Sequence, residues 1–149
     1  MRTTVLLLAA LLAGASFPAS LAHAIDNTIS TDAPDLVSVR AKIKAKDFKG
    51  ALAELTPLLD THQHADVYNL MGFSLRKTGD YKQAYTFYRK ALDFDPAHRG
   101  ALEYLGELYV ETGQIEKARE HVAILKRLCP FGCEELEDLE RAVAAAKVN

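Results

Sequence analysis

Gly72–Pro96 reads GFSLRKTGDYKQAYTFYRKALDFDP, and 34 residues on, Gly106–Pro130 reads GELYVETGQIEKAREHVAILKRLCP. Gly72 falls on Gly106, Thr78-Gly79 on Thr112-Gly113, Ala84 on Ala118 and Pro96 on Pro130, every one at an offset of 34. A fixed period of this size marks a repeat architecture, in which each unit buries its apolar face against the next. The coincident residues are ones with steric roles. Counted from Ala65 or Arg99, glycine at the eighth place and alanine at the twentieth stand where two antiparallel helices approach most closely, since a larger side chain would hold the backbones apart. Gly79 and Gly113 suit the left-handed residue that closes a helix. Asp80 then serves as N-cap of the following helix, and Pro96 and Pro130 stop the second helix of each unit.

The period extends in both directions. Upstream, Asp47-Phe48-Lys49-Gly50-Ala51-Leu52 mirrors Asp80-Tyr81-Lys82-Gln83-Ala84-Tyr85 at an offset of 33, so a divergent first repeat covers 32–64, followed by repeats at 65–98 and 99–132. Its first helix is expected to open near Pro34, a residue favoured in a first turn, with Leu36, Val37, Val39 and Ile43 on its apolar side. Its second helix should run from Phe48 to Asp60 and kink after Thr56, because Pro57 lacks an amide donor. Residues 25–31, IDNTIST, are polar and expected to be flexible. Downstream, Leu136, Leu139, Val143 and Ala146 form a one-faced apolar stripe, with Glu135, Asp138, Arg141 and Lys147 on the other face. A helix from Glu134 to Lys147 with a polar outer face would close the open end of the array, within a C-terminal segment 133–149. No segment shows the strict alternation of a half-buried strand, so the expected class is all-α.

The run Tyr68, Met71, Gly72, Leu75, Gly79, Tyr81, Ala84, Tyr88, Ala91, Pro96 resembles the tetratricopeptide repeat (TPR) pattern at nearly every position. The next unit follows with Leu102, Leu105, Gly106, Tyr109, Gly113, Ile115, Ala118, Val122, Leu125 and Pro130; its second helix departs from the pattern, with valine and leucine where an aromatic and an alanine are usual. The resemblance implies a solenoid of about three helix-turn-helix repeats with a capping helix. It also implies a concave groove lined by the first helix of each pair, in which a peptide or partner protein is bound. Carried over by register, the groove positions are Asp66, Asn69, Phe73, Arg76 and Lys77 in the second repeat, and Gly100, Glu103, Glu107, Val110 and Glu111 in the third. Arg40 and Lys44 stand for the first repeat. Phe73 is the most informative of these, because a large aromatic facing a groove suggests an anchor. The charges divide by position, with Arg40, Lys44, Arg76 and Lys77 toward one half and Glu103, Glu107 and Glu111 toward the other. That distribution departs from the carboxylate-clamp TPRs, whose basic residues continue into the third helix pair, and Asn69 is the one polar match to that clamp. A partner carrying both signs, or an acidic segment over the first two repeats, fits the pattern.

The first 24 residues, MRTTVLLLAALLAGASFPASLAHA, have the form of a secretory leader: Arg2, an apolar run from Val5 to Ala15, and Ala22-His23-Ala24 as a small-residue cleavage site. The apolar run of eleven residues falls short of the roughly 20 needed to span a bilayer. The expectation is therefore an exported, periplasmic or secreted protein, mature from about Ile25, of small bacterial type and with no membrane span after cleavage. The remaining 125 residues suit one domain. The formal charge of −2, or −3 without Arg2, comes from both signs mixed, with no basic stripe for a nucleic acid.

Cys129 and Cys133, the two cysteines of the chain, sit in CPFGC just before the last helix. Three readings compete: a structural disulfide, a reactive dithiol at a helix start, and half of a metal site. An exported context and an even count favour the disulfide. The helix dipole would activate a Cys133 thiolate, but Glu134, Glu135 and Glu137 oppose it. His62 and His64, with Asp60 and Asp66 nearby, offer two imidazoles and a carboxylate, on a turn between repeats that makes a poor closed site. His98 and His121 read as isolated surface or helix-end residues. No nucleophile elbow, zinc-protease or phosphate-loop pattern is present, so the reading is a non-catalytic interaction module without a cofactor. A small redox or metal-handling protein built on Cys129/Cys133 and His62/His64 is the alternative, and self-association through the terminal repeats is a third reading.

Overall fold

The computed structural model describes residues 30–146. The leader-like stretch 1–24, residues 25–29 of the polar segment, and Lys147 lie outside the described residues. Seven helices follow in order: α1 (Val37–Lys44), α2 (Phe48–Thr61), α3 (Ala65–Lys77), α4 (Tyr81–Phe94), α5 (Arg99–Glu111), α6 (Ile115–Leu128) and α7 (Glu134–Ala146). They pack as antiparallel pairs, α1 with α2, α3 with α4 and α5 with α6, while α7 lies against α5 and α6. The described chain is all-α.

The period-34 residues fulfil the roles their chemistry implies. A Cβ placed on Gly72 would lie 2.6 Å from the Tyr88 ring, so there glycine lets α4 seat against α3; one on Gly106 would lie 2.5 Å from the end of the Leu139 side chain on α7, which would have to shift. Gly79 and Gly113 have φ of +89° and +75° and end α3 and α5 in the left-handed conformation. In the first repeat Lys46 takes that position at φ +61°, at the steric cost any side chain meets there. The Asp47 and Asp80 carboxylates accept from the Gly50 and Gln83 amides and cap α2 and α4.

The core is continuous from pair to pair. Leu36, Val39, Leu55, Val67 and Met71 form the N-terminal cluster; Tyr68, Ala91 and Ala101 join pair to pair; Tyr88, Leu105, Leu125, Leu139 and Val143 dominate the C-terminal cluster. Leu55, Leu125 and Leu139 are fully buried, and truncating any one to alanine should cost about 2–5 kcal/mol.

The first repeat departs from its sequence pattern. Helix α1 begins at Val37, not near Pro34, because the Asp35 side chain accepts from the Val37 amide and turns the chain just before the helix. Val37, expected on the apolar side, is exposed, while Leu36 and Val39 carry the packing. Pro57 sits inside α2, which runs unbroken to Thr61 rather than stopping at Asp60; past the proline, the Thr61 hydroxyl donates to the Pro57 carbonyl. Ser30, from the segment expected to be flexible, is tied down: its amide donates to the Thr61 carbonyl and its carbonyl accepts from the Gln63 amide, both at 2.9 Å.

Cys129 and Cys133 are joined in a disulfide across the turn between α6 and α7. Pro130 follows the end of α6 as Pro96 follows the end of α4. Gly132 at φ +90° turns the loop back, and Phe131 at its tip is fully exposed.

Candidate peptide-binding groove

The odd-numbered helices share one face of the array. On it lies a cleft of about 320 Å³ to which α1 contributes Arg40, α3 Asp66, Asn69 and Leu70, α5 Gly100, Glu103 and Tyr104, and α7 Glu134, Glu135 and Asp138, with His98 at the α5 start. The repeat brings these residues together. Asp66, Gly100 and Glu134 are spaced by 34, as are Leu70, Tyr104 and Asp138, so equivalent turns of successive helices line the same hollow.

Asp66 organises one wall. His98 Nδ1 accepts from the Ala101 amide at 3.0 Å, which leaves the proton on Nε2, and that nitrogen donates to Asp66 at 3.2 Å. Arg40 reaches the same carboxylate at 3.3 Å. The His98 hydrogen bond, with the charges of Arg40 and the histidines, outweighs burial and holds Asp66 below the usual carboxylate range. His64, 34 residues before His98, caps α3 in the same way, its Nδ1 accepting from the Asp66 amide. The two N-cap histidines are thus a feature of the period, and His98 is no isolated residue. His121 also departs from the surface expectation: its Nδ1 donates to the Leu102 carbonyl at 2.9 Å, and burial pulls its pKa down.

Arg76, expected to present its charge to the groove, is buried, with its side chain 2% exposed. Its guanidinium bonds Glu107 and Glu111, the latter at 3.0 Å, and lies 5.7 Å from the ring centres of both Phe73 and Tyr104. Burial opposes the charge, but Tyr88, Glu107 and Glu111 together keep the arginine firmly protonated. The expected division of free charge along the groove is therefore reduced inside the protein: Arg76 pairs with both Glu107 and Glu111, which leaves one net negative charge and fastens α3 to α5. Phe73 is half-buried, between Phe48 at 6.2 Å and Tyr104 at 4.8 Å, with the Lys77 ammonium 5.3 Å from its ring centre. Val110 lies away from the cleft, beside Ile115, Ala142 and Ala145 at the far end of the array. Lys44 and Lys77 remain exposed.

The other wall is acidic. Glu103 is 7% exposed; burial, then the carboxylates of Glu107, Asp138 and Glu135, push its pKa up to about 8. Tyr104 is pushed up to about 12 by burial and by Glu103 and Glu107. Glu135 and Asp138, assigned from sequence to the outer face of the last helix, instead line the cleft. Glu135 sits 3.6 Å from Arg99, and Asp138 accepts from Arg141 at 2.7 Å. Asn69 is 5% exposed and its Oδ1 has no hydrogen-bond partner among the described residues.

The residues of the alternative reading have structural positions. His64 is a helix cap, His62 sits at the end of α2 with its Nδ1 2.9 Å from the Thr61 hydroxyl, and the cysteines are bonded to each other at the opposite end of the array. Among the described residues no three of His, Cys, Asp and Glu are grouped to hold a metal ion, and no helix is long and apolar enough to cross a membrane.

Comparison with known proteins agrees with this geometry. Residues 75–127 match the tetratricopeptide repeat family model. The chain is 34% identical over 80 residues to the BBSome complex member BBS4 of Bos taurus; the match covers 54% of this chain but only 15% of that much longer relative. Among solved structures, the first TPR of Spaghetti (RPAP3), bound to the HSP90 peptide SRMEEVD, superposes with a TM-score of 0.64 at 13% identity over 75% of this chain and 89% of that one. The second TPR domain of human RPAP3, in complex with the HSP70 peptide SGPTIEEVD, gives 0.62 at 15% identity over 70% and 88%. The seven helices have the fold of these TPR domains, and residues 75–127 are similar to the tetratricopeptide repeat family.

Proposed function

We propose that this protein is a non-catalytic interaction module that binds a peptide or protein partner against the face formed by α1, α3, α5 and α7. The observation that carries the reading is the cleft on that face, where four helices converge around a buried polar group, Asn69 Oδ1, left without a partner. Buried polar groups are nearly always satisfied, so an unpaired Asn69 beside an accessible hollow marks a place for an incoming donor. Two solved neighbours of the same fold hold peptides, which supports the same use here. The leader-like residues 1–24 and the internal disulfide support export to an oxidising compartment such as the bacterial periplasm, where the module would act as an adaptor in an envelope assembly.

The test is affinity capture from a periplasmic extract with the full chain as bait, against a Lys44→Glu/Lys77→Glu variant. Both lysines are exposed and are assigned to the proposed face by repeat register, so the variant should fold normally and lose the captured partner. Retention at wild-type level would place the interface elsewhere. Fractionation of producing cells checks localisation: recovery in the cytoplasm with the leader intact would contradict export.

A further inference from the structure

We propose that the cleft between α3, α5 and α7 is a subsite for a positively charged side chain, lysine or arginine, of a partner peptide. The inference deepens the groove reading above and rests on it. The atoms presented to the cleft are predominantly acceptors: the unpartnered Asn69 Oδ1, the Tyr104 hydroxyl, and the carboxylates of Glu103, Glu134, Glu135 and Asp138. The burial of Asn69 and Glu103 is what separates this cluster from a solvated acidic surface, while Glu134 is exposed. Asn69 and Glu103 are 5% and 7% exposed, and Glu103 has neither a hydrogen bond nor an ion pair among the described residues.

Each neighbouring cation is already engaged. Arg76 is taken by Glu107 and Glu111, Arg40 by Asp66, Arg99 by Glu135 and Arg141 by Asp138. None of these cations is left free to face Glu103, so a charge paired with it would come from a partner. A lysine or arginine supplies only donors and a positive charge, the complement of this lining. The volume, about 320 Å³, is at the small end of ligand pockets and suits one side chain with its adjoining backbone. The acidic peptides held by the two solved neighbours would bring like charge to this spot. Burial and the surrounding carboxylates leave Glu103 protonated at neutral pH, so a docked cation should displace that proton.

The experiment is a titration of the full chain, followed by amide chemical shifts and by calorimetry in buffers of differing ionisation enthalpy. The probes are an acetylated, amidated Gly/Ser dodecapeptide with two central arginines, its counterpart with two glutamates, and spermidine. The arginine peptide should shift the amides of Asn69, Gly100, Glu103 and Asp138 and release a proton at pH 7; Glu103→Gln should abolish the release and weaken binding at least tenfold. Absence of shifts at these amides with the arginine peptide, or its full affinity in Glu103→Gln, overturns the proposal. Equal or tighter binding of the glutamate peptide along α3 and α5 would overturn it while leaving the groove reading intact. Spermidine binding as tightly as the peptide would make this a site for free polycations and also overturn it.

Discussion

Gly72→Ala isolates the steric logic of the repeat. In a helix interior the substitution should stabilise by about 1 kcal/mol, because alanine loses less backbone entropy and is the better helix former. Here the added Cβ would lie 2.6 Å from Cδ1 and 2.7 Å from Cε1 of Tyr88, distances at which something must move. Tyr88 is 0% exposed and its ring is rigid, so relief requires α3 and α4 to separate, at a cost for an overpacked core of about 1–3 kcal/mol. The packing penalty wins narrowly to clearly: a net loss of about 1 kcal/mol, read as a lower urea midpoint at unchanged slope, with helicity at 222 nm as the probe. The same substitution combined with Tyr88→Leu should lose less than the sum of the two single changes, a coupling of about 1 kcal/mol between residues in contact. A Gly72→Ala protein more stable than wild type, or strict additivity in the double variant, would refute the claim that this glycine is set by close approach of the helices.

Replacing Arg76 with alanine should destabilise by about 1.5–3 kcal/mol, the loss of charge-assisted hydrogen bonds to carboxylates that water can still reach, whereas Lys77→Ala beside it should stay within about 0.5 kcal/mol; urea unfolding compares them directly. Reducing the disulfide, or the Cys129→Ser/Cys133→Ser pair, should cost about 2 kcal/mol in the loop-entropy model and leave the helical content unchanged, as checked by calorimetry with and without reductant. Glu103 sets a pH dependence: its folded pKa of about 8 stands above the ordinary glutamate value of 4.5, so the native state binds the extra proton and stability falls as pH rises from about 4.5 to 8. Glu103→Gln should flatten that slope, on the order of a few kcal/mol at most, and be the more stable protein at pH 8.5; urea midpoints measured across pH 5 to 9 decide it.

The helix boundaries from α3 to α7 were legible because their determinants are local: glycine at positive φ, aspartate caps and proline stops act within a few residues. The first repeat was read less well for the same reason. The Asp35 side chain competes for the amides that Pro34 was expected to organise, and the α2 ladder continues past Pro57. The site was legible as a face but not as a set of free charges. Register placed Asn69 and Glu103 on α3 and α5, where they line the cleft, but it could not show that Arg76 spans to Glu107 and Glu111, since that pairing depends on the distance between α3 and α5. Continuing the period past Pro130 would have aligned Glu134 with Gly100 and Asp138 with Tyr104, and would have turned the acidic side of α7 toward the cleft. The same period related His64 to His98, where two residues that looked incidental are successive helix caps.

The central claim is that the α1/α3/α5/α7 face is the one a partner occupies. Site-specific photocrosslinking tests it most directly: a photoreactive amino acid is placed in turn at Lys44, Lys77 and Glu134 on that face and at Lys82 and Glu116 on the even-numbered helices, and adducts are scored in the living cell. Adducts of one discrete mass from the first three positions, and none from the last two, are the predicted result. Adducts confined to Lys82 and Glu116 would show that the partner binds the opposite surface and would contradict the account.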